Sequence, residues 1–166
     1  MKKKSKKNIV LAIDPGVRKL GYAVVEDDCT ILDAGIVLQD KKSPTREDQF
    51  LRIAHIIDFF EKMLTEVDIS LCVLEKLFFT ESNQTNAEFM YGVRGALIAM
   101  FLSKGIPSKE YTPIQLKKYV TWNGKADKLF VQKMIMKIYR LADMPEYNDA
   151  ADALWLAYMA IKSLKK

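Results

Sequence analysis

The stretch Ile9-Val10-Leu11-Ala12-Ile13-Asp14-Pro15-Gly16 constrains the fold more than any other. Its five leading apolar residues show no polar alternation. That pattern fits a strand covered on both faces, as in the middle of a parallel sheet. Pro15 has no N–H to give to a ladder and Gly16 tolerates positive φ, so the strand ends there. Asp14 is thereby carried out of the core at the strand's carboxyl end, where open α/β sheets bind their ligands.

The rest of the chain builds around that strand. Residues 21–26 and 30–38 read as two further strands joined by an Asp27-Asp28 turn, an antiparallel hairpin continuing from the first strand. After a polar break over 40–44, Ser43 is expected to cap a helix, with Pro44 at its first position and Glu47 and Asp48 near its positive end. Phe50, Ile53, Ile57, Phe60 and Leu64 recur at helical spacing to about Glu66. Residues 69–74 form a second strand dominated by apolar residues, and it too ends in a carboxylate, Glu75. Phe78, Phe79 and a polar loop precede a long helix over about 82–103. Gly92 and Gly95 in its interior each cost about 1 kcal/mol against alanine. Close approach of another element, a second subunit included, is the reason expected for them.

Gly105-Ile106-Pro107 breaks the chain before a short strand at 109–112 and a short helix from Thr112-Pro113 to about Val120. Trp122-Asn123-Gly124 is a turn. Residues 128–141 form a helix with Phe130, Met134, Ile138 and Leu141 on one stripe, and Met144-Pro145 ends it. Asn148 is expected to cap a last helix over about 149–163. The order β-β-β-α-β-α-β-α-α-α predicts an α/β layer sandwich on a mixed sheet, with the first and fourth strands parallel and adjacent in the middle.

Composition excludes several classes. The chain has 166 residues, 49% hydrophobic and 28% charged, which suits one globular domain with a real core. Its longest apolar run, 154–161, is too short to cross a bilayer, so no membrane role is expected. The lysine-rich start is followed by an apolar segment too short for a signal peptide, and that segment stops at an acid. Residues 1–8 are read as a basic flexible tail and 9–166 as a single domain. Cys29 and Cys72 stand alone without metal-ligand spacing, which fits a reducing cytoplasm.

The net charge is +5, and the tail alone holds five lysines, leaving 21 basic and 21 acidic residues in the body. Residues 26–88 hold 14 acids and 6 bases, whereas 104–140 hold 9 bases and 2 acids. A basic second half beside an acidic first half fits one face built for a polyanion. Taken alone, such blocks are more often a solvated helical surface.

The acids carry the chemistry. Asp14 and Glu75 fall at the same end of two neighbouring strands. Asp149 and Asp152, three residues apart, share one helix face in its first turn. Ala150, Ala151 and Ala153 around them require something to approach closely. Two acids there gain from the helix's positive end but repel one another. Four converging carboxylates are costly unless cations bind, and oxygen-only ligands favour Mg²⁺ or Mn²⁺. Two such ions about 4 Å apart can hold both the attacking and the leaving oxygen of a phosphodiester. Singly, each acid has an ordinary reading as a turn, strand-end or first-turn residue. Jointly they are far more specific.

The chain resembles the RuvC family of Holliday junction resolvases, in the ribonuclease H-like superfamily. The resemblance is carried by Ile13-Asp14-Pro15-Gly16 with Gly21-Tyr22, and by Leu74-Glu75-Lys76-Leu77-Phe78. It continues in Arg94-Gly95, Gln115-Leu116-Lys117, Lys128 and Asp149-Ala150-Ala151-Asp152-Ala153-Leu154. It implies a ribonuclease H-like mixed five-stranded sheet flanked by helices. It also implies an endodeoxyribonuclease of recombination and repair that nicks two opposing strands of a four-way DNA junction. The implied cofactor is two Mg²⁺ ions per site, with Mn²⁺ as substitute. The implied assembly is a homodimer through the helix at about 82–103, and the implied setting is the cytoplasm of a bacterial or phage-infected cell.

By the same resemblance the catalytic metal ligands map to Asp14, Glu75, Asp149 and Asp152. Lys117 and Lys128 map near the scissile phosphate, with Lys128 among the catalytic residues. Phe78 maps to the junction-probing phenylalanine, and Phe79 is expected in the core. Lys118 and Lys125, in the same basic segment, are expected DNA contacts. His55 has no expected role, and Tyr91, Trp122 and Trp155 are expected to pack. No residue pattern points to or against a branch-migration motor as partner.

Three other functions compete. The longer basic tail and the residues around Trp122 and Asn123 depart from the family, which fits a relaxed-specificity branched-DNA nuclease of phage type. A non-cleaving binder of the same fold is a second alternative, against which all four acids stand. A nucleotide-binding domain of the actin and sugar-kinase type is a third. That type needs two related domains, and this chain has one.

Overall fold

A computed structural model describes residues 7–38, 45–77, 84–115, 118 and 128–164, with the backbone alone at 84, 85 and 128. Its sheet has five strands in the order β3-β2-β1-β4-β5, where β1 is Ile9–Asp14, β2 Lys19–Glu26, β3 Ile31–Leu38, β4 Leu71–Glu75 and β5 Ser108–Tyr111. β1 pairs antiparallel with β2 and parallel with β4, and β2 pairs antiparallel with β3. β4 and β5 are parallel. The sheet is therefore mixed, and its two apolar strands are the parallel central neighbours that their uniform hydrophobicity predicts.

Helices cover both faces. On one face lie α1, Arg46–Glu66, and α2, Gln84–Ser103. They pack over Leu11, Ile13, Leu20, Tyr22, Cys72 and Leu74. On the other lie α3, Lys128–Tyr139, and α4, Asn148–Leu164, over Val10, Ala12, Ala23, Val25, Leu71 and Val73. Each central strand thus sends alternate residues into two different cores. Residues 113–115 and 118 are helical, as expected for the short helix there. No helix among the described residues is long and apolar enough to cross a membrane.

Several expectations are corrected in detail. α1 is capped by Thr45, whose side chain accepts from the Asp48 N–H while Asp48 accepts from the Thr45 N–H. This reciprocal capping box takes the role assigned to Ser43, which lies outside the described residues together with Pro44. On α1 Arg52, Ile56, Phe60 and Met63 are buried, the expected Ile53, Ile57 and Leu64 are half-buried against the same core, and only Phe50 of the expected stripe is exposed. On α3 the most deeply buried residues are Val131, Ile135 and Tyr139, one position later than the expected stripe, whose Met134, Ile138 and Leu141 are half-buried against the same core while Phe130 is exposed. Both helices carry adjacent apolar residues, so two stripes compete, and packing against the neighbouring element chooses between them.

Asn148 does not cap α4. It lies inside the helix, its Oδ1 accepts from Gln132 Nε2 at 3.0 Å, and the Tyr147 carbonyl accepts the first helical bond from Ala151. Trp155 is buried, whereas Tyr91 is exposed. His55 is exposed on α1. Phe79 and the Trp122-Asn123-Gly124 turn lie outside the described residues.

Candidate active site

Strand register sets the site. Asp14 pairs with Gly21 on β2, and Ile13 with Leu74 on β4, so Asp14 and Glu75 are the next residues in that parallel register. Glu75 in turn pairs with Tyr111 on β5. Gly21, Asp14 and Glu75 thus form a row across the carboxyl end of the central strands, with neighbours about 4.8 Å apart. Asp14 shares parity with Val10 and Ala12, and Glu75 with Leu71 and Val73. Those four residues face the core beneath α4, so both acids belong to that face.

α4 completes the arrangement from above. A Cβ on Gly21 would lie 2.1 Å from the Asp149 carbonyl oxygen and 3.0 Å from the Asp149 Cβ. The start of α4 therefore rests directly on the β2 backbone, beside Asp14. This contact explains the run of small residues. Ala150, Ala151 and Ala153 are all buried, so the close approach demanded by the sequence is made by the sheet of the same chain. Asp152 follows on the same helix face as Asp149. Asp14, Glu75, Asp149 and Asp152 are each half-buried. Three elements distant in sequence thus bring Asp14, Glu75 and the α4 turn that carries Asp149 and Asp152 to one end and one face of the sheet.

The neighbouring residues hold these elements in place. Gln132 ties α3 to the first residue of α4, and Lys128 opens α3 one turn before Gln132. On the opposite face, Arg94 of α2 makes a two-pronged ion pair with Glu110, the β5 partner of Leu74. The guanidinium holds the Glu110 carboxyl below the usual carboxylate range. Tyr22 lies across Gly35 and donates to Asp33 at 3.0 Å. Burial first, and that bond second, push its phenol up to about 12.

Of the other sequence-predicted residues, Lys118 is exposed in the helical segment after β5. Phe78, Lys117 and Lys125 lie outside the described residues, as does the side chain of Lys128. Gly21 was legible only as part of a motif. A glycine inside a strand signals close backbone approach, and that signal identifies it as the seat of α4. Among the described residues nothing lies against Gly95 of α2, and a Cβ on Gly92 would come within 3.2 Å of the Ile53 side chain.

Among the described residues no three Asp, Glu, His or Cys side chains close into a ready-made metal-holding group. The donor set is nonetheless all-oxygen, drawn from three elements on one face, which is the chemistry that suits a hard divalent ion.

The model of the family described as crossover junction endodeoxyribonuclease RuvC matches residues 10–160. The chain belongs to the RuvC family. It is 33% identical over 158 residues to the RuvC of Fusobacterium nucleatum, covering 93% of this chain and 80% of that protein. It is 34% identical over 151 residues to the RuvC of a Synechococcus strain, covering 89% and 94%. The structure of Thermus thermophilus RuvC in complex with Holliday junction substrate superimposes with a TM-score of 0.77 at 25% identity, covering 94% of each chain. The yeast mitochondrial resolvase Ydc2, at 12% identity and a TM-score of 0.65, shares the fold over 94% of this chain and 79% of its own.

Proposed function

We propose that this protein is a divalent-metal endonuclease that resolves four-way DNA junctions by paired nicks, acting as a homodimer. The observation that carries the reading is the seating of Asp149 on Gly21, opposite Asp14, in register with Glu75. Family membership and the likeness to a RuvC bound to Holliday junction substrate support the choice of DNA.

Asp14, Glu75, Asp149 and Asp152 are the groups that would hold the ions. Two Mg²⁺ ions, with Mn²⁺ as substitute, supply when bound the charge that activates water and offsets the departing 3′ oxygen. The chain's own contribution is rigidity. The strand ends fix Asp14 and Glu75, and the β2 seat fixes Asp149. Lys128 and Lys117 are assigned to the scissile phosphate, Lys118 and Lys125 to neighbouring phosphates, and Phe78 to the opened base pairs. Phosphate contacts of this kind position the substrate, and a stacked aromatic adds sequence-tolerant affinity. The setting is the cytoplasm.

Tyr91, Gly92, Gly95, Ala99 and Leu102 make an exposed face along α2. A second copy packed there brings two sites to one twofold-symmetric junction. Sedimentation of wild type as a dimer, with a monomer for Gly95→Lys, tests that assembly. A wild-type monomer with and without junction DNA overturns it.

The function is tested by a cleavage panel of four-way, three-way, flap and linear DNA in Mg²⁺ and in Mn²⁺. Paired symmetric nicks in the four-way junction, lost in Asp14→Asn while binding remains, are expected. Cleavage by Asp14→Asn at the wild-type rate overturns the assignment. Comparable cutting of all branched forms selects the relaxed-specificity nuclease, and absence of any cutting selects the non-cleaving binder.

A further inference from the structure

The geometry points to Lys19 as a DNA-phosphate contact at the rim of the acid site, held in place by Tyr147. This inference rests on the nuclease reading for its ligand. Lys19 opens β2, two residues before Gly21, and shares its face of the sheet. It therefore stands about 7 Å beyond the row of Gly21, Asp14 and Glu75, on the side where that row opens to solvent. Its backbone is fixed, because a Cβ on Gly16 would run into the Lys19 carbonyl oxygen at 1.8 Å. The turn after Asp14 thus closes onto Lys19, and the lysine's position is tied to that of the acid.

The side chain is held as well. Its ammonium lies 4.9 Å from the centroid of the Tyr147 ring, a cation–π distance. Tyr147 is the residue whose carbonyl starts α4, two before Asp149. A hydrogen bond to Glu146 raises its phenol above the ordinary range. Lys19 is exposed, and among the described residues it makes no ion pair. A cation placed by two site elements, with its charge left for a ligand, fits a phosphate next to the one undergoing cleavage. Lys19 is thus a positioning residue.

The test is binding of a fluorescent four-way junction in EDTA, so that nothing is cut, between 50 and 200 mM KCl. Each lost phosphate contact lowers the slope of log K against log salt by about one. Lys19→Gln is expected to bind about three- to tenfold more weakly and to flatten that slope by about one unit per protomer engaged. Lys19→Arg restores the slope. Tyr147→Leu keeps it, because the charge remains, but weakens binding. A packing role would change thermal stability and leave the slope alone.

A Lys19→Gln line that superimposes on wild type overturns the inference. Because binding is read without cleavage, this result is independent of the nuclease assignment. If Asp14→Asn abolishes cutting while Lys19→Gln binds normally, only this inference falls. If no substrate is cut but Lys19→Gln flattens the slope, the phosphate contact stands and the catalytic reading falls.

Discussion

The two ends of the β1–β2 ladder use acids in opposite ways. At the amino end of β1, Glu26, Asp27 and Asp28 come from one tight turn, and the chain itself satisfies them. Lys7 pairs with Glu26 and lies 2.7 Å from Asp28. The N–H and side-chain amide of Asn8 both donate to Asp27 at 3.1 Å. The Thr30 N–H donates to Asp28 at 3.0 Å. At the carboxyl end, Asp14, Glu75, Asp149 and Asp152 arrive from three elements far apart in the chain. Acids gathered from one turn with their cation fasten local structure. Acids gathered by the whole fold sit on strand ends and a helix start that only tertiary packing brings together.

The largest effect that separates the two ends is on catalysis. Asp14→Asn should lower junction cleavage by at least about a hundredfold, a loss typical of disturbed metal ligation, with the melting temperature little changed. Asp28→Asn should leave the cleavage rate at the wild-type value. Equal effects of the two variants would break the contrast.

Next comes the seat of α4. Gly21→Ala puts a methyl group against the Asp149 carbonyl, where backbone has to move. Overpacking of this kind costs about 1–3 kcal/mol, and a shift of about 1 Å at a site can cost about a hundredfold in rate. Thermal melting and single-turnover cleavage should both fall. An unchanged rate in folded protein would show that the β2 contact does not set the site.

Glu110→Gln tests the sheet's other face. Removing one partner of the half-buried Arg94 pair should cost about 1–2 kcal/mol in denaturant unfolding, between exposed and buried cases. Arg94 depresses the Glu110 pKa. The pair's contribution is therefore present above the ordinary glutamate pKa, and it is lost as pH falls through the depressed value. The wild-type advantage over Glu110→Gln should vanish in acid.

The smallest effect is expected at the amino end. Lys7 and Thr30 hold the Asp28 carboxyl below its usual range. Its contribution is present above the ordinary aspartate pKa and fades as pH falls toward the lowered one. The pair is exposed, so Asp28→Asn should shift melting only slightly, and less so in high salt. A large shift would mean that this end organises the fold rather than merely closing it.

Much of this was legible in advance, for identifiable reasons. The apolar-dominated segments 9–13 and 69–74 marked doubly covered central strands, and the acid after each placed Asp14 and Glu75 at the same end of the sheet. The hairpin followed from short spacing, and the small residues between Asp149 and Asp152 announced a close contact. Less legible were the helix faces. On α1 and α3 adjacent apolar residues offered two stripes, and packing buried Ile56 and Val131 more deeply than the expected Ile57 and Phe130. The cap of α1 was misplaced by two residues because Ser43 and Thr45 have the same capping chemistry.

The sequence by itself determined which groups leave the core and at which strand ends, because burial pattern and chain-breaking residues are local properties. Only the tertiary structure decided that Asp149 sits on Gly21, that Arg94 reaches Glu110 and that Lys19 leans on Tyr147. Those contacts depend on strand register and on where a helix crosses the sheet, and both are settled by packing across the whole molecule.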